Sequence, residues 1–215
     1  MRGKSNVIAM AKTSVMQTED TKRAGRLPNC AYRTREHLTE AEVGKLLEAL
    51  RRNRTGRRDW LMGLLTFRHG LRVSELIRLH WADINFAQGE IFVRRLKGSQ
   101  EANHYLEADE MNGLRRLRRD GPTHERFVFV SERGTVFTRD GILKMFKRAG
   151  QGAGLPFAIH PHMLRHSTGF KAANDGIATR TVQHLLGHKN IAHSVRYSAM
   201  SAKPLAKIQW KQFAP

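Results

Sequence analysis

Cysteine is almost absent from this chain, and that absence excludes two kinds of structure. Cys30 is the only cysteine among 215 residues. A disulfide within the chain needs two thiols, and a zinc centre built on thiolates needs more than one. We therefore expect a protein of a reducing compartment, the cytoplasm, with no internal cross-link.

Long apolar runs are absent too. The longest one near the N-terminus covers residues 7–11, too short for the apolar part of a secretory signal. No later stretch approaches the roughly 20 residues of a membrane span. Since 40% of the residues are hydrophobic and the chain is long enough to bury a core, we expect a soluble protein with no membrane partner.

Acidic residues are only half as numerous as basic ones. The chain has 19 Asp and Glu against 38 Lys and Arg, a formal net charge of +19. Such an excess attracts polyanions, because each cation that neutralises a phosphate releases condensed counterions. The balance favours nucleic acid as partner; a merely solvated basic surface and an anionic membrane surface remain the alternatives.

The pattern of residues predicts an arm followed by one mostly helical domain. Residues 1–35 lack periodicity and are predicted to form a basic arm able to lie on DNA, and residues 36–215 the folded domain. Thr39 and Glu42 have capping-box spacing, which predicts the start of the first helix. Further helices are predicted over about 57–69, 74–79, 109–119, 139–149, 161–174, 179–186 and 191–199.

Short strands complete the predicted fold. Residues 91–93 and 103–106 are predicted as strands on either side of a turn at 97–100, and residues 127–130 as another strand. The expected architecture is therefore mostly α with a small antiparallel β-sheet, an α+β fold.

Several cations have the chemistry to surround one tetrahedral phosphate: Arg72, Lys97, His162, Arg165 and His188. The planar fork of an arginine binds two phosphate oxygens at once. His162 and Arg165, three residues apart, share a helical face. Lys97, in the predicted turn, could protonate a departing oxygen. Taken singly, each arginine is more typical of a surface cation, and a lysine in a hairpin loop usually serves only solubility.

Tyr197 is a candidate nucleophile. It is one of three tyrosines and follows the helix break at Gly187. A phenol has a pKa near 10, so attack at neutral pH needs neighbouring cations or a base. A tyrosine packed in the core is the alternative.

Clustered histidines raise the question of a metal: His160, His162 and His166, and the pair His184 and His188. The pair has the spacing of a zinc-protease helix, but Leu185 stands where the general-base glutamate is needed. No carboxylate follows at a suitable spacing. We expect neither a metal nor another cofactor.

Three local strings, GLRVSEL, HPHMLRHS and LLGHKNIAHSVRYS, resemble in this order the signature boxes of the tyrosine site-specific recombinases, the phage integrase family. The resemblance covers roughly residues 36–200 and implies that family's catalytic-domain fold. Within the family, the strings are most similar to those of the small invertases that switch fimbrial genes.

The resemblance implies roles for the six candidates. They match the first arginine (Arg72), the hairpin lysine (Lys97), the H-x-x-R box (His162 and Arg165), the second histidine position (His188) and the nucleophile (Tyr197). In the implied reaction the tyrosine attacks a phosphate and leaves a 3′-phosphotyrosine and a free 5′-hydroxyl. The arginines hold the non-bridging oxygens, the lysine protonates the leaving oxygen, and His162 serves Tyr197 as acid or base.

The implied partners are double-stranded DNA with specific recombination sites, a homotetramer on that DNA, and accessory DNA-bending proteins. About 35 residues precede the matching region, too few for the core-binding domain of most members, so we expect weak autonomous DNA binding. Lys203–Trp210 is expected to pack either in its own subunit or on a neighbour. Two alternatives remain: a non-catalytic DNA-binding regulator on the same fold, and a type IB topoisomerase.

Overall fold

The computed structural model describes residues 35–95, 99–121 and 126–199. The compact unit that contains them begins at Arg35. The predicted arm, Lys97 and the segment Lys203–Trp210 lie outside the described residues.

Helices dominate the described residues, which form α1 (Glu40–Arg51), α2 (Gly56–Arg68), α3 (Val73–Leu76), α4 (Ala108–Asp120), α5 (Arg139–Gly152), α6 (Pro161–Asn174), α7 (Thr179–Leu186) and α8 (Ala192–Ala199). The capping box predicted for α1 is present. The Thr39 hydroxyl accepts the amide hydrogen of Glu42 at 3.3 Å, and the Glu42 carboxylate accepts that of Thr39 at 2.8 Å. These bonds satisfy backbone donors that a helix end leaves without a partner.

A three-stranded antiparallel sheet follows α3, in the order β1 (Ile84–Asn85), β2 (Glu90–Val93) and β3 (Ala102–Tyr105). Ile91 pairs with His104 across β2 and β3. The predicted mixture of many helices and a small antiparallel sheet is confirmed. The strand predicted at 127–130 is wrong: Phe127 and Val130 make only isolated bridges, to His80 and Val136. Two single bridges on different partners cannot propagate a ladder.

Two clusters of buried side chains hold the domain together. The larger lies mainly between α1, α2, α5 and α6 and includes Leu46, Leu50, Leu61, Leu65, Phe146 and Leu164. The smaller lies where α6, α7 and α8 meet and includes Ala172, Ala173, Val182, Leu186 and Tyr197. Burial of this apolar area, at roughly 25 cal/mol per Å², is the main force that orients the last three helices. Tyr197 is therefore positioned by packing of the fold's C-terminal helices.

Within the three described ranges, no helix has the length and apolar character needed to cross a lipid bilayer.

Candidate active site

Arg165 lies inside the protein with a guanidinium that joins two chain segments. The residue is 3% exposed. It donates hydrogen bonds to the carbonyl oxygens of Gly70, after α2, and Leu186, the last residue of α7. Both acceptors are neutral, so the positive charge is not cancelled. Burial, reinforced by the charges of Arg72 and Arg95, lowers the pKa of Arg165 to about 9.

Arg72 stands at the N-terminal cap of α3 and points at a carboxylate. Its Nη1 donates to Oε1 of Glu75 at 2.7 Å, and its backbone amide donates to Oε2 at 2.9 Å. Burial alone raises the pKa of Glu75, but the charge of Arg95 and the hydrogen bonds from Arg72 outweigh it and hold that pKa below its usual range. Glu75 is therefore ionised and fixes the direction of Arg72.

Arg95, two residues after the end of β2, is a third guanidinium of this cluster and was not predicted from the sequence. It is buried, and its Nη1 donates to Oε2 of Glu75 at 2.7 Å and to the Gly70 carbonyl at 3.4 Å. Arg95 and Arg165 thus share the Gly70 oxygen. A single arginine at a strand end has no spacing or motif that distinguishes it, so no sequence signal could have found it.

Tyr197 is enclosed between aromatic rings. It is 1% exposed. Phe170 meets its ring edge-on, with centroids 5.1 Å apart, and His188 lies nearly parallel to it at 6.3 Å. Gly169 faces the ring so closely that an added Cβ would lie 2.6 Å from Cε2 of Tyr197. The fold therefore fits this phenol into a closed slot in which its position is defined.

The Tyr197 hydroxyl has a histidine partner. It lies 2.9 Å from Nδ1 of His166 and 3.3 Å from Nη2 of Arg196. Arg196 also approaches Nδ1 of His166 at 2.6 Å. A guanidinium can only donate, and this one lies closer to Nδ1 than to Nε2, at 3.4 Å. These distances favour Nδ1 as the acceptor nitrogen, with the proton on Nε2. Burial and the charge of Arg196 lower the pKa of His166 to about 3, so this neutral ring can accept the phenolic hydrogen.

The two histidines proposed from the sequence occupy different places. His188 follows Gly187, whose left-handed conformation (φ 59°) ends α7, and its Nδ1 lies 2.8 Å from Oγ of Ser194. Burial, with the charges of Arg165 and Arg72, lowers the pKa of His188 to about 3. His162 is exposed on α6, and its ring stacks on that of His166 with centroids 5.9 Å apart.

The structure therefore brings four of the six candidates into one electrostatically connected group: Arg72, Arg165, His188 and Tyr197. His162 joins it through His166, a residue that the sequence indicated only as a possible metal ligand. Lys97 lies outside the described residues. In the described ranges no three or more Cys, His, Asp or Glu side chains are grouped to hold a metal ion.

Comparisons with known proteins give consistent matches in sequence and in fold. Residues 36–203 match the model of the phage integrase family. The type 1 fimbriae regulatory protein FimE of Escherichia coli K12 is 38% identical over 183 residues, which cover 83% of this chain and 92% of FimE. FimB of the same strain is 40% identical and covers 78% of this chain and 86% of FimB.

Larger relatives match over part of their length. The tyrosine recombinase XerA of Pyrococcus furiosus is 35% identical over 78% of this chain and 58% of its own. A crystal structure of XerA recombinase superimposes with a TM-score of 0.69 and 26% identity over 80% of this chain and 62% of that one. The XerH recombinase bound to a palindromic difH substrate, at 23% identity, shares the fold with a TM-score of 0.70 over 87% of this chain and 56% of that one.

Proposed function

The chain belongs to the phage integrase family of tyrosine site-specific recombinases, and from this membership we propose that it cleaves and rejoins DNA with Tyr197 as nucleophile. One observation carries the assignment of the nucleophile. Tyr197 interacts electrostatically with the buried guanidinium of Arg165, whose charge no carboxylate neutralises directly. The rings of His166 and His188 lie against Tyr197. Among the described residues, Tyr197 is the tyrosine that has this environment.

The net charge of the arginine cluster indicates what the site binds. Arg72, Arg95 and Arg165 supply three positive charges and Glu75 one negative charge, which leaves two. A phosphodiester offers one negative charge, and the pentacoordinate transition state carries a second. Fixed guanidinium groups aimed at those oxygens stabilise the transition state more than the ground state. Arg72 and Arg165 are the proposed ligands of the two non-bridging oxygens.

The proposed reaction conserves the phosphodiester bond. The Tyr197 oxygen forms a bond to phosphorus while the bond from phosphorus to the 5′-oxygen breaks, and that oxygen takes a proton from Lys97. The 5′-hydroxyl of a second duplex then attacks the phosphotyrosine and releases Tyr197. His188 binds the phosphate, and His162 exchanges the phenolic proton. Because one ester replaces another, no nucleotide energy source is consumed.

DNA inversion is the proposed outcome. Support comes from the near full-length similarity to FimE and FimB, regulatory proteins of type 1 fimbriae. A homotetramer on two specific sites, accessory DNA-bending proteins and a cytoplasmic, nucleoid-associated location belong to the same proposal. So does packing of Lys203–Trp210 in its own subunit or against a neighbour.

A suicide substrate tests the chemistry. A duplex nicked beside the cleavage site loses its 5′-hydroxyl fragment after attack, so the covalent adduct accumulates and is visible on a denaturing gel. The wild type should form the adduct, and Tyr197→Phe should bind DNA normally without forming it. Tyr105→Phe is the matched control, since Tyr105 is 80% exposed on β3, and it should react like the wild type. An adduct with Tyr197→Phe would refute the nucleophile.

Two further outcomes identify the alternatives. Specific binding by the wild type without any adduct would favour a non-catalytic regulator. Relaxation of supercoiled plasmids without paired sites would favour a topoisomerase, whereas a recombinase rearranges only plasmids that carry two sites. The substrate itself is found by mapping cleavage in inverted repeats that flank the gene.

A further inference from the structure

Arg95 joins three parts of the fold at the edge of the proposed site. It lies just after β2, and its Nη2 donates to the carbonyl oxygens of His69, at 3.2 Å, and Leu185. Its Nη1 binds Glu75 and Gly70. One buried side chain thus ties the end of β2 to the α2–α3 junction and to the last turn of α7.

The Glu75 carboxylate is divided between two arginines. Its Oε1 accepts from Arg72 and its Oε2 from Arg95, each at 2.7 Å. A carboxylate held on one side by a buried guanidinium cannot rotate freely, so its other oxygen has a defined direction. The orientation of Arg72 therefore depends on Arg95 through Glu75.

The space between the Arg95 side chain and the end of α7 is tightly filled. A Cβ at Gly187 would lie 2.8 Å from Nε of Arg95 and 2.8 Å from the carbonyl oxygen of Gln100. Gly187 therefore allows the guanidinium to pass beneath the end of α7, directly before His188. Arg95 also precedes Lys97 by two residues in the sequence.

We infer that Arg95 is a positioning residue of the recombination site, which orients Arg72 through Glu75. The inference rests on the proposed function. Arg95 is too enclosed by its own acceptors to contact DNA: its two terminal nitrogens already bind one carboxylate and three carbonyl groups. It acts on the phosphate through the position of Arg72 and not by direct contact.

The fork of the arginine is the property that matters. The ammonium group of a lysine is a single point and cannot reach Glu75 and the His69 and Leu185 carbonyls together. Arg95→Lys keeps the charge but should release Glu75 or the α7 end. We expect single-turnover cleavage of a suicide substrate to fall about 10- to 100-fold, as misplacement by about 1 Å can cost about 100-fold. The Kd for DNA should stay within about twofold.

Arg94→Lys is the matched control. Arg94 is the preceding residue, carries the same side chain and pairs with Asp83 at 2.7 Å, but it is 55% exposed. The Arg94→Lys variant should cleave DNA at the wild-type rate. If Arg95→Lys proves unstable, Arg95→Met combined with Glu75→Gln removes both buried charges together, which spares the fold an unpaired ion. That variant should fold and cleave slowly.

A double-mutant cycle separates positioning from general loss of structure. If Arg95 acts through Arg72, Arg95→Lys should slow cleavage much less in an Arg72→Lys background than in the wild type. Equal slowing in both backgrounds, or wild-type cleavage by Arg95→Lys, would overturn the inference while leaving the wild-type adduct and the proposed function intact. No adduct with the wild type would overturn both.

Discussion

Tyr197 and His166 are hydrogen-bonded: the phenolic oxygen lies 2.9 Å from Nδ1 of the imidazole. His166 is one helical turn beyond His162 on α6, and of these two described rings it is the one that hydrogen-bonds to the hydroxyl. Because Arg196 donates to the same nitrogen, the ring cannot offer a proton there. The phenolic hydroxyl and the guanidinium share the single lone pair of that nitrogen.

His166→Ala should therefore slow cleavage. The hydroxyl would lose its hydrogen-bond acceptor. General acid–base groups contribute about 10²- to 10⁴-fold to a rate, and a contact that positions the hydroxyl supplies part of that. We therefore expect the cleavage rate to fall about 10-fold or more. His166→Asn should recover much of the rate, since the Asn oxygen can occupy the place of Nδ1. The measurement is the single-turnover rate of adduct formation, compared with His162→Asn. A normal rate for His166→Ala alongside a slow His162→Asn would leave His162 as the sole partner.

Arg165→Ala should reduce cleavage by orders of magnitude, because a fixed contact to the transition state is removed from a buried site. Arg165→Lys should be nearly as slow, since one ammonium cannot bond both the Gly70 and Leu186 carbonyls and still face a phosphate. Arg52→Ala, which removes the same charge from an exposed position at the C-terminal cap of α1, should leave the rate unchanged. Near-normal cleavage by Arg165→Ala would contradict the assigned role.

Gly169→Ala should displace the nucleophile. The new methyl would lie 2.6 to 2.8 Å from three ring carbons of Tyr197, and overpacking of this kind costs about 1–3 kcal/mol. We expect the rate of adduct formation to fall by more than the decrease in the free energy of unfolding alone would explain. Gly44→Ala is the control: nothing lies within 4 Å of its added Cβ, and alanine in a helix interior gains about 0.5–1 kcal/mol. Equal activity of the two variants would refute the slot around Tyr197.

Acid should destabilise the domain through His104. Burial, with the charges of His69 and Arg95, lowers the pKa of His104 from 6.5 to about 3. Between those two values the unfolded chain binds a proton that the folded chain does not, so the free energy of unfolding falls as the pH falls. At pH 5 this one histidine should cost about 2 kcal/mol. Urea unfolding at pH 7 and pH 5 should show a smaller loss for His104→Gln, and identical losses would contradict the prediction.

The sequence predicted most of the helices because each has a start or stop signal that acts locally. Thr39 and Glu42 cap α1, and Gly187 ends α7. β1 was not predicted, because two residues are too few to show alternation. The error at 127–130 has the same origin: an apolar run indicates burial, but whether it finds a strand to pair with depends on distant residues.

The site was predictable where a motif spans neighbouring residues and unpredictable where it depends on packing. Tyr197, Arg72 and Arg165 lie in strings that resemble a known family. Arg95 and its shared acceptor Gly70 are 25 residues apart and meet only through the fold. His166 was visible as a histidine, but its contact with Tyr197 depends on how α8 packs against α6.

The burial of Tyr197 has a consequence for the control of cleavage. Because Tyr197 is only 1% exposed, a proposed nucleophile at this position would not be open to a rigid duplex that merely collides with the protein. If Tyr197 is the nucleophile, we expect α8 to shift relative to α6 before attack, with the free energy for that shift supplied by binding of the correct site or of another subunit. Fidelity would then be enforced by access to the attacking atom, before any bond in the DNA is broken.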